Sequence, residues 1–268
     1  MKYYAAVVNA DEIAATTLIP PACILASYHY FAKKGDLLAA EVKKGVDVFI
    51  DSGAFSAANS NKEIDIDKYC KFLKEVNAPY YAGLDVIGDA DATMENQKYM
   101  EGEYGLRPIP TFHMGSPLEK LEGLMEYNYI ALGGLVFSSG IESHCDQVWN
   151  FMLKQKPNIQ VHGFGLTNVE LMSRYPWYSV DSSSFKGCKR FGRQNILWRD
   201  FEFKTFSEDE YLNFLKVLRY DPETLTNKDK WFLYDFFSCQ SYKQYAAFLS
   251  ERNKYKSFEA LAAQTTLF

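Results

Sequence analysis

The 268-residue chain has no apolar run approaching the ~20 residues that a membrane helix requires, which argues against a spanning segment. Its opening residues, Met1-Lys-Tyr-Tyr-Ala-Ala-Val-Val8, lack the long apolar stretch of a signal peptide, so a cytoplasmic protein is expected. Cys23, Cys70, Cys145, Cys188 and Cys239 lie too far apart for a disulfide ladder or a Cys-x-x-Cys metal knot, and a reducing compartment fits them. His29, His113, His144 and His162 form no His-x-His or His-Glu-x-x-His grouping, which disfavours metallohydrolase chemistry; no metal and no cofactor are expected. No Gly-x-Gly-x-x-Gly follows the first strand-like run, and no lysine falls at a predicted strand end, which argues against a Schiff-base aldolase. The formal charge of -5 argues against a generally basic nucleic-acid coat, although a net charge averages over local patches.

What is present is a regular alternation. Strand-like runs cover Tyr3 to Val8, Ile24 to Tyr30, Val46 to Asp51, Tyr80 to Asp85, Pro108 to His113, Tyr129 to Leu132, Ile159 to Phe164 and Trp177 to Asp181. Amphipathic segments lie between them, among them Ile66 to Val76 behind Asp65, Leu118 to Tyr127 behind Ser116-Pro117, and Glu142 to Lys154 stopped before Pro157. Strand-then-helix units repeated in this way imply a parallel sheet, and eight strands can close into a TIM-type (β/α)8 barrel; an open doubly wound sheet is the structural alternative. After Phe203 the pattern becomes helical. Ser207 to Glu210 reads as a capping box before Tyr211 to Tyr220, and helices are expected over Lys228 to Ser238, Tyr242 to Asn253 and Phe258 to Ala263. The predicted organisation is therefore a barrel over 1–203 with a helical C-terminal appendage over 204–268. The Phe and Tyr residues of the appendage are expected to pack onto the barrel.

Three aspartates, Asp51, Asp85 and Asp181, stand where strand-like runs give way to small or polar residues. In a barrel these are C-terminal strand ends, where the chemistry of this fold is placed.

In order along the chain, Ile24-Leu-Ala-Ser-Tyr-His-Tyr30, Asp51-Ser-Gly-Ala-Phe-Ser56, Asp85, Phe112-His-Met-Gly115, Ala131-Leu-Gly-Gly-Leu135, Gly163-Phe-Gly165 and Val180-Asp181 resemble the successive strand ends of tRNA-guanine transglycosylases. They also resemble the phage and bacterial relatives that insert 7-deazaguanines into DNA. The resemblance spans about residues 1 to 200 and departs from the tRNA enzymes at two points: no Cys-x-Cys-x-x-Cys zinc motif is present, and His113 stands where a Gln is expected.

The resemblance assigns Asp181 as nucleophile. Displacing a purine from C1′ passes through an oxocarbenium-like transition state, and a carboxylate can form and release a sugar ester there. With a reference pKa of ~3.9 an Asp is ionised at neutral pH and needs no activating base. The same position also suits an N-cap for the next helix. Asp51 and Asp85 fit the purine, because an acceptor-only carboxylate can take two hydrogen bonds from adjacent N–H groups, and Asp51 is carried as the second catalytic carboxylate. Ser52, His113, Gly133, Gly134, Leu135 and Gly165 complete the implied base-binding set, with backbone N–H groups of 133–135 reaching a carbonyl of the base. The competing readings are an Asx turn for Asp51, a strand-ending turn for Gly-Gly and a structural histidine for His113.

Lys186, Lys189, Arg190, Arg193 and Arg199 form a local basic stretch, either a phosphate grip or a solvated loop. The final residues, Gln264-Thr-Thr-Leu-Phe268, resemble the Gln-x-x-Leu-Phe peptide with which DNA-acting proteins bind a sliding clamp; a frayed helix end is the alternative, and Gln264, Leu267 and Phe268 would be the contacts. With the missing zinc motif, this tail favours DNA over tRNA. The expected function is replacement of guanine by a 7-deazaguanine derivative in DNA. The alternatives are the same exchange on tRNA and a catalytically silent nucleic-acid-binding barrel.

Overall fold

The computed structural model describes residues 1–60, 62–135 and 141–254. Eight parallel strands are laid down in sequence order: β1 (Lys2–Val7), β2 (Cys23–Ser27), β3 (Asp47–Asp51), β4 (Tyr80–Tyr81), β5 (Thr111–His113), β6 (Tyr129–Gly133), β7 (Gln160–Gly163) and β8 (Ser179–Ser182). Each pairs with its neighbour in sequence, and β1 pairs in parallel with β8, Tyr4 opposite Asp181. The remaining seam, between β4 and β5, is held by the parallel bridge of Ala82 with Ile109, where the Ile109 amide donates to the Tyr81 carbonyl at 2.8 Å. The ring closes there. This is the TIM-type barrel that the strand–helix alternation predicts.

Side chains of a strand alternate between its faces, and this alternation divides the strand residues into two cores. Tyr3, Ala5, Val7, Ile24, Ala26, Val48, Ile50, Ile130, Leu132, Val161 and Val180 face outward under the helices. Tyr4, Leu25, Phe49, Ala82, Ile109 and Ala131 fill the barrel interior. Helix Ile66–Val76 begins with Asp65 accepting from the Lys68 amide and buries Tyr69, Phe72 and Leu73 against the sheet.

Three local differences from the sequence expectations have physical causes. The strand expected through Tyr30 stops at Ser27, and Tyr28–Phe31 is a helical turn, with the Tyr28 ring on Tyr69 and Phe72. The segment after β8 forms an antiparallel hairpin, β9 (Arg193–Leu197) with β10 (Phe203–Ser207), before the capping-box helix Glu208–Val217. The two helices expected over 228–253 are one, Asn227–Lys254, because Ser238, Cys239 and Ser241 at the expected break are buried.

That long helix joins the barrel's own packing. Tyr242 stacks on Tyr3 of β1 at 5.1 Å, and Tyr245, Ala246 and Leu249 are buried beside it. The hairpin, helix Glu208–Val217 and the first half of the long helix share a smaller core of Ile196, Phe206, Tyr211, Leu215, Leu233 and Tyr234. Among the described residues no helix is long and apolar enough to cross a membrane.

Candidate active site

The inward parity that places Phe49 in the barrel also places Asp51, two residues on, at the mouth of β3; Ser179 and Asp181 follow the same rule on β8. Thr111 and His113 share that face of β5, paired with Ala131 and Gly133 of β6. A cavity of about 390 Å³ opens at these C-terminal strand ends, and Asp51, Asp85 and Asp181 all line it. Ser52, His113, Gly133, Gly134 and Gly165 line it too, so the structure brings these expected base-binding residues together with the three carboxylates. Leu135 is the exception, since its side chain is buried in the core between sheet and helices.

Asp181 is buried. Its Oδ1 accepts from the Gly165 amide at 2.8 Å and lies 3.2 Å from His162 Nε2. It does not cap a following helix by any side-chain bond; Ser182 Oγ accepts the Ser184 amide instead. Asp51 Oδ2 accepts the Gly53 amide at 3.0 Å. The Asx turn therefore exists, and the turn is what holds the carboxylate at the cavity. Gly53 is indispensable to it: its φ is +78°, and a Cβ there would lie 2.4 Å from Ser27 Oγ and 2.6 Å from His29 Cβ. Burial first, and then the nearby charges of Asp181 and Asp85, push the Asp51 carboxyl up to about 7 from its ordinary 3.8.

Asp85 Oδ2 faces His113 Nε2 at 3.3 Å, while Asp85 Oδ1 is buried with no hydrogen-bond partner in the protein. Burial lowers the His113 pKa, but the hydrogen bond and charge of Asp85 outweigh it and the net shift is upward. Gly133 makes the pairing possible, because a Cβ there would stand 3.0 Å from the His113 ring. The cavity thus holds one carboxylate fixed by two contacts, one carboxyl that holds a proton to near neutrality and one orphaned buried acceptor.

No family model matches the chain, and no curated protein matches it by sequence. Among solved structures, a tryptophan synthase from M. tuberculosis in its ligand-free form, carrying a TrpA mutation, is similar over 69% of this chain and 83% of that one. The identity is 13% and the TM-score 0.45. The barrel assignment stands on the strand order and registers themselves.

The basic stretch is divided by the fold. Lys186 is buried and ion-pairs with Glu12 at 3.1 Å, and Lys189 pairs with the buried Asp235. Each neutralises an internal carboxylate, and of the two only Lys189 is exposed to solvent. Arg190 and Arg193 are exposed; Arg190 donates to Ser183 Oγ at 3.1 Å, one residue after β8. Gln264, Leu267 and Phe268, the expected clamp contacts, lie outside the described residues. Among those residues no group of three His, Cys, Asp or Glu side chains is arranged to hold a metal.

The residue that sequence motifs did not single out is His162. It is fully buried in the barrel and touches Asp181 directly. The signal available was parity: 162 on β7 and 164 just beyond it face inward as 179 and 181 do on β8. Of the other histidines, His144 accepts the Gly115 amide at 3.1 Å, and His29 packs edge-on to Tyr30.

Proposed function

We propose that this protein is a base-exchanging transglycosylase that replaces guanine in DNA with a 7-deazaguanine derivative through a covalent aspartyl-sugar intermediate. The observation that carries the reading is the convergence of Asp51, Asp85 and Asp181 on one cavity at the barrel mouth, with three different environments. Retaining exchange at C1′ needs a carboxylate nucleophile and a second group that alternately gives and takes a proton. Asp181 suits the first role and Asp51, with its carboxyl near 7, the second.

In the forward half, a lone pair of Asp181 forms the bond to C1′ as the C1′–N9 bond breaks, and the departing purine takes the Asp51 proton with that electron pair. In the return half, the incoming base gives its N9 proton to Asp51 and attacks C1′, and Asp181 leaves as carboxylate. One glycosidic bond is broken and one made, so the exchange draws on no oxidant. The orphaned Oδ1 of Asp85 would take a hydrogen bond from the purine edge. In duplex DNA the target nucleotide must be flipped out of the stack to reach the barrel mouth. DNA is preferred to tRNA because the sequence lacks the Cys-x-Cys-x-x-Cys of the tRNA enzymes it resembles.

Incubation with labelled guanine or 7-deazaguanine bases and, separately, duplex DNA, single-stranded DNA and tRNA tests the reading. Label is expected in DNA. Label in tRNA alone reassigns the substrate, and binding without any transfer makes the chain a non-catalytic nucleic-acid binder.

A further inference from the structure

Beneath Asp181 a line of polar side chains runs through the barrel interior. Tyr129 OH lies 2.6 Å from Ser179 Oγ, which lies 2.6 Å from His162 Nδ1, and His162 Nε2 lies 3.2 Å from Asp181 Oδ1. The imidazole is clamped among rings, stacked on Phe49 at 4.7 Å and edge-on to Phe164 and Tyr4. It cannot turn away from these partners without breaking that packing.

We propose that His162 is the positioning residue for Asp181, the terminal donor of a one-way chain from Tyr129 through Ser179 that commits Oδ1 and leaves Oδ2 as the attacking oxygen. The proposal rests on Asp181 being the nucleophile.

For a neutral His162, proton counting fixes the direction. An ionised carboxylate has no proton to give, so the contact at Oδ1 needs its donor on Nε2. A neutral imidazole then has a bare Nδ1, which must accept from the Ser179 hydroxyl, and Ser179 Oγ in turn accepts from Tyr129. The opposite tautomer would set the Nε2 lone pair against a carboxylate oxygen inside the barrel. That arrangement repels and leaves a buried acceptor unpaired. The Gly165 amide also ends on Oδ1, so both donors hold the same oxygen. Neither bond engages Oδ2. When the sugar ester is later displaced, the same two donors stabilise the charge returning to the carboxylate, which is preorganised assistance to a leaving group.

Two readouts test this in the full-length protein. Imidazole 15N NMR should show His162 protonated at Nε2 and bare at Nδ1, and Ser179→Ala should shift the Nδ1 resonance, which loses its hydrogen bond, while the proton stays on Nε2. In exchange kinetics, His162→Leu should lower kcat on the order of 10²-fold with base affinity unchanged. His162→Gln, which offers an amide donor and a carbonyl acceptor, should recover most of that loss. If the wild type exchanges bases but carries its proton on Nδ1 or on both nitrogens, or if Leu and Gln variants have equal kcat, the positioning role is overturned alone. If the wild type exchanges no base, the nucleophile assignment falls and takes this role with it.

Discussion

Asp51 carries the sharpest electrostatic consequence of the site. Its carboxyl is held up to about 7 by burial and by the charges of Asp181 and Asp85, so the folded protein keeps a proton there that the unfolded chain releases near 3.8. The associated stability is fully present below the unfolded value and is lost as pH rises through about 7. Asp51→Asn removes the charge without removing volume. In paired urea titrations it should gain on the order of 2–4 kcal/mol over wild type at pH 8 and nothing below about pH 4. An equal difference at both pH values would show that Asp51 does not hold its proton in the folded state. The same variant should slow exchange by about 10²–10⁴-fold, the range for losing a general acid–base group.

At the scale of the element, what the sequence disclosed and what it hid have one cause. A strand buried on both faces writes a short continuous apolar run into the chain, so all eight barrel strands were legible, and with them Asp51, Asp85, His113 and Asp181 at the rim. His162 was hidden because no motif surrounds it; only the inward parity of β7 relates it to Asp181. The hairpin was hidden because polar residues interrupt both of its faces: Lys204 shares a face with Ile196, and Arg193 and Thr205 share one with Leu197 and Phe203. Gln194 bonds the Phe185 and Tyr234 carbonyls and the Cys188 amide, a buried use of a polar side chain that strand patterns do not show. The helix break expected near 238–242 failed because burial against the barrel overrides the weak helix preference of Ser and Cys.

The hairpin also narrows the phosphate-contact prediction to two residues. With Lys186 and Lys189 ion-paired to Glu12 and Asp235, Arg190 and Arg193 are two exposed arginines of the stretch that carry no such ion pair among the described residues. Neutralising both to Gln should weaken DNA binding across sequences and lower the salt slope by about two units, the counterion release of two phosphate contacts. Binding measured between low and moderate salt checks this, and an unchanged slope assigns both arginines to the solvated surface.

For the whole molecule, the long C-terminal helix and the barrel share a core: Tyr242 is 2% exposed, stacks on Tyr3 and lies 4.8 Å from Phe203. Tyr242→Ala leaves a cavity between β1, β10 and the helix and should cost about 3–5 kcal/mol. Heat denaturation of both proteins should show one transition, displaced downward in the variant. Two transitions, with only one displaced, would mean that the helix and barrel unfold separately.

The barrel as a whole exists, on this reading, to present Asp181 to a sugar carbon. Intact-protein mass spectrometry after denaturing quench, with DNA present and the incoming base withheld, measures that event itself. The wild type should acquire a DNA-sugar adduct that maps to the peptide containing Asp181, and Asp181→Asn should acquire none while keeping its fold. Base exchange without any adduct, or an adduct mapping to another residue, would contradict it.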